Sequence, residues 1–206
     1  MNPQKAVLAD TTDLTRFQEA LLFAAQLHVR QKRKGTDIPY LAHLMAVASI
    51  VMEHGGTEDE AIAALLHDSI EDQAEHHGGA DALRQDIVRR FGADVAAIVD
   101  GCTDAEIVPK PPWKERKEAY IAHIPHASAS VRLVSCADKL HNARAILADY
   151  RAIGDKLWSR FKGGRDGTLW YYRSLVVAFQ NAGSNAIVEE LERVVSEVER
   201  QAAVLL

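Results

Sequence analysis

Cysteine is almost missing from this chain. Cys102 and Cys136 are the only two in 206 residues, in neither metal-binding nor redox spacing, which argues against a disulfide scaffold and a thiolate zinc site. No apolar run approaches the ~18 residues that a membrane span needs. The opening Met1-Asn2-Pro3-Gln4-Lys5 lacks the apolar stretch of a secretory signal. Positive charge is not in excess either. Lys and Arg number 24 against 29 Asp and Glu, for a formal charge of −5, which removes the broad drive toward duplex nucleic acid while leaving room for a local basic pocket. Repeats, low-complexity tracts and linkers are lacking, and no stretch alternates long enough to make a strand. What is present is apolar material, 48% by count, enough for a core without covalent staples. The expectation is a soluble cytoplasmic protein with no membrane or nucleic-acid partner, folded as a single domain over residues 1–206.

Apolar residues recur at three and four almost everywhere. Leu14, Phe17, Leu21, Ala24 and Leu27 predict a first helix behind the cap candidates Thr11, Thr12 and Asp13. A basic loop, Lys32 to Pro39, separates it from a helix carrying His43, Val47, Ile50 and Val51 up to Gly55-Gly56. Thr57 with Glu60 reads as a capping box opening a helix that runs through Leu65-Leu66 toward Asp72. Further helices are predicted to Gly92, from Ala93 to Thr103, from Trp113 to His123 ahead of Pro125, and from Ala129 to Tyr150. A short helix from Asp155 to Phe161, a glycine-rich turn over Gly163–Gly167, and helices Thr168–Asn181 and Ser184–Ala203 complete the chain. The fold class is all-α, a bundle of about eight to ten helices. Its motif-bearing core covers 17–150, with the helices of 155–203 packing on it.

Ionisable residues break one apolar helix, in Ala63-Ala64-Leu65-Leu66-His67-Asp68-Ser69-Ile70-Glu71-Asp72. In a helix Glu71 stands four after His67, and Asp72 four after Asp68. Three carboxylates in so short a span repel one another, and a helix C-terminus is the wrong end for anions. A divalent ion would relieve both problems; a solvated, frayed helix end is the plainer alternative, and carboxylate clusters perturb one another without being catalytic. His43 on an apolar helix and Asp138 beside Lys139 each have an ordinary structural reading when taken alone.

Taken in order, however, His43, His67-Asp68 and Asp138 resemble the H…HD…D signature of HD-domain metal-dependent phosphohydrolases. Arg33-Lys34 ahead of Pro39-Tyr40-x-x-His43, then Ala64-Leu65-Leu66-His67-Asp68-x-x-Glu71-Asp72, then Ala137-Asp138-Lys139-Leu140-His141-Asn142 are similar to the hydrolase domain of RelA/SpoT homologues. Those enzymes remove the 3′-pyrophosphate of the alarmone (p)ppGpp. The resemblance covers Phe17 to Leu147, and the sequence ends where bifunctional homologues continue, so the expectation is a stand-alone small alarmone hydrolase. It implies one Mn²⁺ held by His43, His67, Asp68 and Asp138, with Fe²⁺ or Zn²⁺ ranked behind. It also implies that Glu71 and Asp72 handle the water and its proton, that Arg33 and Lys34 flank the base, and that Asn142 holds the sugar-phosphate end.

The chemistry of those residue types agrees. Two imidazoles with two carboxylates suit a divalent ion with open water positions. Such an ion acidifies water and offsets charge on phosphoryl oxygens. Glu71 is favoured for proton transfer and Asp72 for orienting the water. A polyanionic nucleotide also needs outer cations, for which Lys32, Arg33, Lys34, Lys162 and Arg165 are candidates, with Arg33 able to lie flat on a purine. Lys110 and Lys114 read as solvated charges. Gly163–Gly167 could cradle phosphate but reads better as a tight turn, and Trp170-Tyr171-Tyr172 as packing. His76 and His77 read as solvated, His123, His126 and His141 as outside the ligand set, and Cys136 as a small buried hydrophobe.

Relative to the common alarmone hydrolase spacing, the first loop carries one extra residue between Lys34 and Pro39, and Ala145 replaces a small hydroxyl residue. Guanine versus adenine selectivity is therefore left open. Two other readings stand beside the leading one. One is an HD-domain phosphatase for another phosphorylated nucleotide or dinucleotide phosphate; the other is a nucleotide-binding sensor without turnover. A homo-oligomer is compatible with the apolar face of the last helix, which could equally pack on its own domain.

Overall fold

The computed structural model describes residues 14–103 and 111–203; the cap candidates Thr11, Thr12 and Asp13, and Lys110, lie outside them. Among the described residues there are ten α-helices and no strand, only an isolated bridge between Lys32 and Pro39. The architecture is all-α, as the helical periodicity predicts. The chain divides into two compact units, one from the residues up to 106 with 129–134, the other from 107–128 with 135 onward.

The first unit contains α1 (Thr15–Leu27), α2 (Leu41–Glu53), α3 (Glu58–Leu66), α4 (Ser69–Gln73), α5 (Ala80–Phe91) and α6 (Ala93–Cys102). Helix α3 is its central post. Every residue from Ala61 to Leu66 is buried, and the helix packs on α1, α2 and α6. Three alanines on so short a helix let its neighbours approach from several sides. The capping box is present, with Thr57 Oγ1 accepting from Glu60 N–H and Glu60 reaching back to Thr57 N–H at 2.7 Å.

The helix does not run on toward Asp72. It stops at Leu66, and after His67 and Asp68 a separate helix α4 begins. His67 Nδ1 takes up the Ala64 carbonyl at 2.8 Å, the acceptor that a continuing helix would offer to the Asp68 N–H. Glu71 and Asp72 consequently stand in the first turn of a short helix, not at the C-terminal end of a long one. The dipole conflict read from the sequence does not arise for them.

His77 is only partly solvated, because it is tied to a buried carboxylate. Asp86, 7% exposed, is clasped by Arg89, by Arg90 Nε at 2.9 Å and by His77 Nε2 at 3.2 Å, while the Arg90 guanidinium lies 4.6 Å from the Phe23 ring centre. Burial pushes the Asp86 carboxyl up, but the Arg90 hydrogen bond and the charges of Arg90 and Arg89 outweigh it and hold the group below its ordinary value. A carboxyl depressed in the folded state contributes stability above its unfolded pKa and loses it as pH falls through the folded one. Urea denaturation followed from neutrality to acid should therefore show a drop in stability beginning below about pH 4 that is blunted in Asp86→Asn. An unchanged acid limb in that variant would show that Asp86 contributes nothing there.

The second unit contains α7 (Trp113–His123), the greater part of α8 (Ala129–Ile153), α9 (Gly164–Ala182) and α10 (Ala186–Ala203). Short 3-10 segments, Ile124–His126 and Gly154–Arg160, stand where Pro125 and the segment after Ile153 leave the α conformation. The apolar face of α10 is used within this unit. Val198 and Ala202 join Ile146, Tyr150, Leu157 and Trp158 in one cluster. Ion pairs Arg144–Glu190, Arg151–Glu197 and Arg173–Glu199 flank the helix. The glycine run is not a turn: from Gly164 it forms the first turn of α9. A Cβ at Gly163 would sit 2.7 Å from the Trp113 ring and one at Gly167 3.2 Å away, so these glycines seat an indole. Trp170 packs on Trp113 at 6.1 Å with Lys114 Nζ over its own ring, which fits the packing role read for it. Cys136 is buried and its thiol is pushed up to about 12 by burial and by Asp138, which leaves it inert.

Candidate active site

Four aromatic rings lead into the site. His28 stacks on Tyr40 at 5.4 Å, Tyr40 meets His43 edgewise at 5.2 Å, and His43 meets His67 at 5.3 Å. His43 enters from the first turn of α2, and His67 from the C-terminal end of α3, the most deeply buried helix of the unit. Their side chains are 0% and 3% exposed, whereas that of Asp68 is 22% exposed. Two imidazoles thus form the floor and one carboxylate the open side.

His67 Nε2 lies 2.9 Å and His43 Nε2 3.8 Å from Asp68 Oδ2. One donor atom from each residue falls within a sphere where all lie within 4.8 Å of one another. Because His67 Nδ1 donates to the Ala64 carbonyl, the ring in its neutral form would aim the Nε2 lone pair at a carboxylate oxygen. Two acceptors face to face are unfavourable without a cation, and a divalent ion with nitrogen and oxygen ligands fits this donor set. The three residues could bind one.

Tyr40 is a participant the sequence reading missed. Its hydroxyl donates to Asp68 Oδ2 at 2.5 Å, tying the carboxylate to the start of α2. It stands in the Pro39-Tyr40-x-x-His43 motif, three residues before His43, but that motif assigns it no role. Asp72 N–H donates to the Asp68 carbonyl at 3.0 Å, so α4 begins on Asp68 itself. Asp72 is exposed and Glu71 half-buried.

The basic loop is closed at its base. Tyr40 N–H donates to the Gln31 carbonyl at 2.9 Å and Arg33 N–H to the Ile38 carbonyl at 2.8 Å. Gly35 turns the tip at a φ of 72°. Lys32 is engaged by Asp37 at 2.6 Å. The Arg33 guanidinium lies 5.8 Å from the Tyr40 ring centre, and Lys34 is exposed.

The remaining sequence-derived residues belong to the second unit. Asp138, 5% exposed, receives Lys139 Nζ at 2.6 Å on one oxygen and Asn142 Nδ2 at 2.5 Å on the other. Burial works against charge on Lys139, but Asp138 first, then Tyr120 and Tyr171, keep its ammonium well above its ordinary value. Arg165 donates to the Ala202 carbonyl at 2.7 Å, and Lys162 is exposed.

Comparison with known proteins bears on this arrangement. The HD-domain family matches residues 20–169. The chain is 39% identical over 137 residues to guanosine-3′,5′-bis(diphosphate) 3′-pyrophosphohydrolase MESH1 of Xenopus tropicalis, covering 65% of this chain and 71% of that one. To the protein of the same name from Danio rerio it is 35% identical over 175 residues, covering 84% and 87%. A solved structure, described as a metazoan ortholog of SpoT that hydrolyzes ppGpp and plays a role in starvation responses, superposes with a TM-score of 0.69 at 29% identity, over 91% of this chain and 95% of that one.

Proposed function

The chain belongs to the HD-domain family, and from that premise we propose that it hydrolyses the 3′-pyrophosphate of guanosine 3′,5′-bis(diphosphate), or of its adenine counterpart, releasing pyrophosphate. The observation that carries this reading is the convergence of His43, His67 and Asp68 directly ahead of Glu71-Asp72, in a chain whose relatives include ppGpp 3′-pyrophosphohydrolases. The family match runs through both compact units, which supports treating residues 1–206 as one HD domain.

His43, His67 and Asp68 would hold a divalent ion; the family resemblance, not the donor set, points to Mn²⁺ and to Asp138 as a fourth ligand. When bound, the ion offers positive charge to the phosphoryl oxygens and lowers the pKa of water in the site. Tyr40 holds Asp68 in one rotamer through its 2.5 Å hydrogen bond. Asp72 orients the attacking water, and Glu71 takes its proton and returns one to the leaving oxygen. Arg33 lies over the purine with Lys34 beside it, Asn142 holds the sugar-phosphate end, and Lys162 and Arg165 supply outer positive charge. Both cysteines are free thiols, which accords with a reducing cytoplasm, and no described helix is long and apolar enough to cross a membrane.

A product assay tests the reading. Chelator-stripped protein given ppGpp or ppApp should release pyrophosphate only when Mn²⁺ is restored, and the faster substrate identifies the base. Orthophosphate in place of pyrophosphate would convert the assignment to a phosphatase. Tight binding without turnover would make the protein a nucleotide sensor.

A further inference from the structure

Beside the ligands, at the wall of a cleft of about 640 Å³ lined by Gln31, Asp72 and Gln73, lies a hydrogen-bond network that the reaction above does not use. At its centre is Gln31, just before the basic loop. Gln31 Nε2 donates to Asp72 Oδ2 at 2.7 Å. Its Oε1 accepts from Gln73 Nε2 at 2.5 Å and from His28 Nδ1 at 2.6 Å. The 3.4 Å between Gln73 Nε2 and His28 Nδ1 is the separation of two donors converging on one oxygen.

This arrangement has only one sense. The Asp72 carboxylate accepts and cannot donate, so it must face the amide NH₂ of Gln31. The Gln31 oxygen then points at His28 and Gln73, which must both be donors, and the His28 proton is on Nδ1. A flipped Gln31 would set its oxygen against a carboxylate and its NH₂ against two N–H groups. His28 is itself fixed: it is 2% exposed and stacks on Tyr40 at an interplanar angle of 21°. Tyr40 in turn donates to Asp68. One pair of packed rings thus has one member bonded to the ligand carboxylate and the other to the amide that grips Asp72.

We propose that Gln31 is a positioning residue for the hydrolysis: its amide, locked by His28 and Gln73, aims the Asp72 carboxylate at the water, and its loss slows turnover without weakening nucleotide or metal binding. The proposal rests on the role given to Asp72 above. A water-orienting carboxylate works only when held in place, and a misplacement of about 1 Å costs up to 10²-fold in rate. Outer hydrogen-bond partners of catalytic sites typically carry effects of about 10- to 100-fold.

Two variants of Gln31 separate its halves. Gln31→Glu keeps an oxygen for His28 and Gln73 but turns a second carboxylate oxygen toward Asp72. Gln31→Met keeps the length and removes both functions, and its folding does not depend on burying a charge. Both are expected to lower kcat about 10- to 100-fold, with KM and calorimetric Mn²⁺ affinity within about threefold of the parent and the protein still folded at the assay temperature. Gln26→Ala, on the same cleft, should behave as the parent. A kcat within threefold of the parent in both Gln31 variants would overturn the proposal. So would a parallel loss of Mn²⁺ affinity, which would tie Gln31 to the ligands, or an equal loss in Gln26→Ala. The parent runs in the same assay: if it releases no pyrophosphate, the activity itself is misassigned, whereas an active parent beside two equally active Gln31 variants counts against Gln31 alone.

Discussion

Asp68→Asn is expected to reduce pyrophosphate release by about 10³-fold or more and to abolish calorimetrically detectable Mn²⁺ binding, while leaving the protein folded. The substitution changes little in shape. An asparagine oxygen still accepts from Tyr40, and the turn between α3 and α4 is held by the His67–Ala64 hydrogen bond and by the wholly buried α3. What disappears is the negative charge that sits 2.9 Å and 3.8 Å from two imidazole nitrogens. Without it the site is a pair of neutral rings with an amide, a far poorer home for a divalent ion. Pyrophosphate release within tenfold of the parent would remove Asp68 from the ligand set.

Glu71→Gln should behave differently, and the contrast is diagnostic. Glu71 stands three residues after Asp68 on α4 and is absent from the convergent group of His43, His67 and Asp68, so Mn²⁺ affinity should stay within about threefold. Turnover should fall about 10²- to 10⁴-fold, the range over which a positioned proton carrier contributes, with KM little changed because glutamine preserves size and most contacts. Stopped-time assays at saturating nucleotide would measure it. If Asp72→Asn proved the more damaging change, the roles of the two carboxylates would be exchanged.

Much of this was legible in the residues. Apolar spacing and end signals placed α1, α2, α5, α6, α7, α8 and α10 to within a few residues, with Gly55, Gly79, Gly92, Pro112 and Gly183 standing at or beside helix ends. Three of the four proposed ligands were found grouped, and they are the three that the structure gathers within one compact unit. The misses share a physical origin. The end of α3 is set by a side chain competing for a backbone carbonyl, which no apolar pattern registers. The glycines of α9 serve an indole about fifty residues earlier in the chain. Gln31 meets Asp72 and Gln73 across separations of 41 and 42 residues, and His77 reaches Asp86 from a stretch that looked like open turn. Polar partners chosen by tertiary proximity leave no period in the sequence.

The closed base of the basic loop has a consequence for how such a protein diversifies. Its two ends are pinned backbone to backbone, Gln31 to Tyr40 and Arg33 to Ile38, and the residues on either side of the pin are those that steady the carboxylates. Lengthening the tip, where Gly35, Thr36 and Asp37 lie, leaves that pin in register. On the proposed placement of Arg33 over the purine, an insertion at this place alters what the loop presents to the base while the pinned residues keep their positions. On that placement, substrate preference changes one loop residue at a time, separately from the residues proposed for the chemistry.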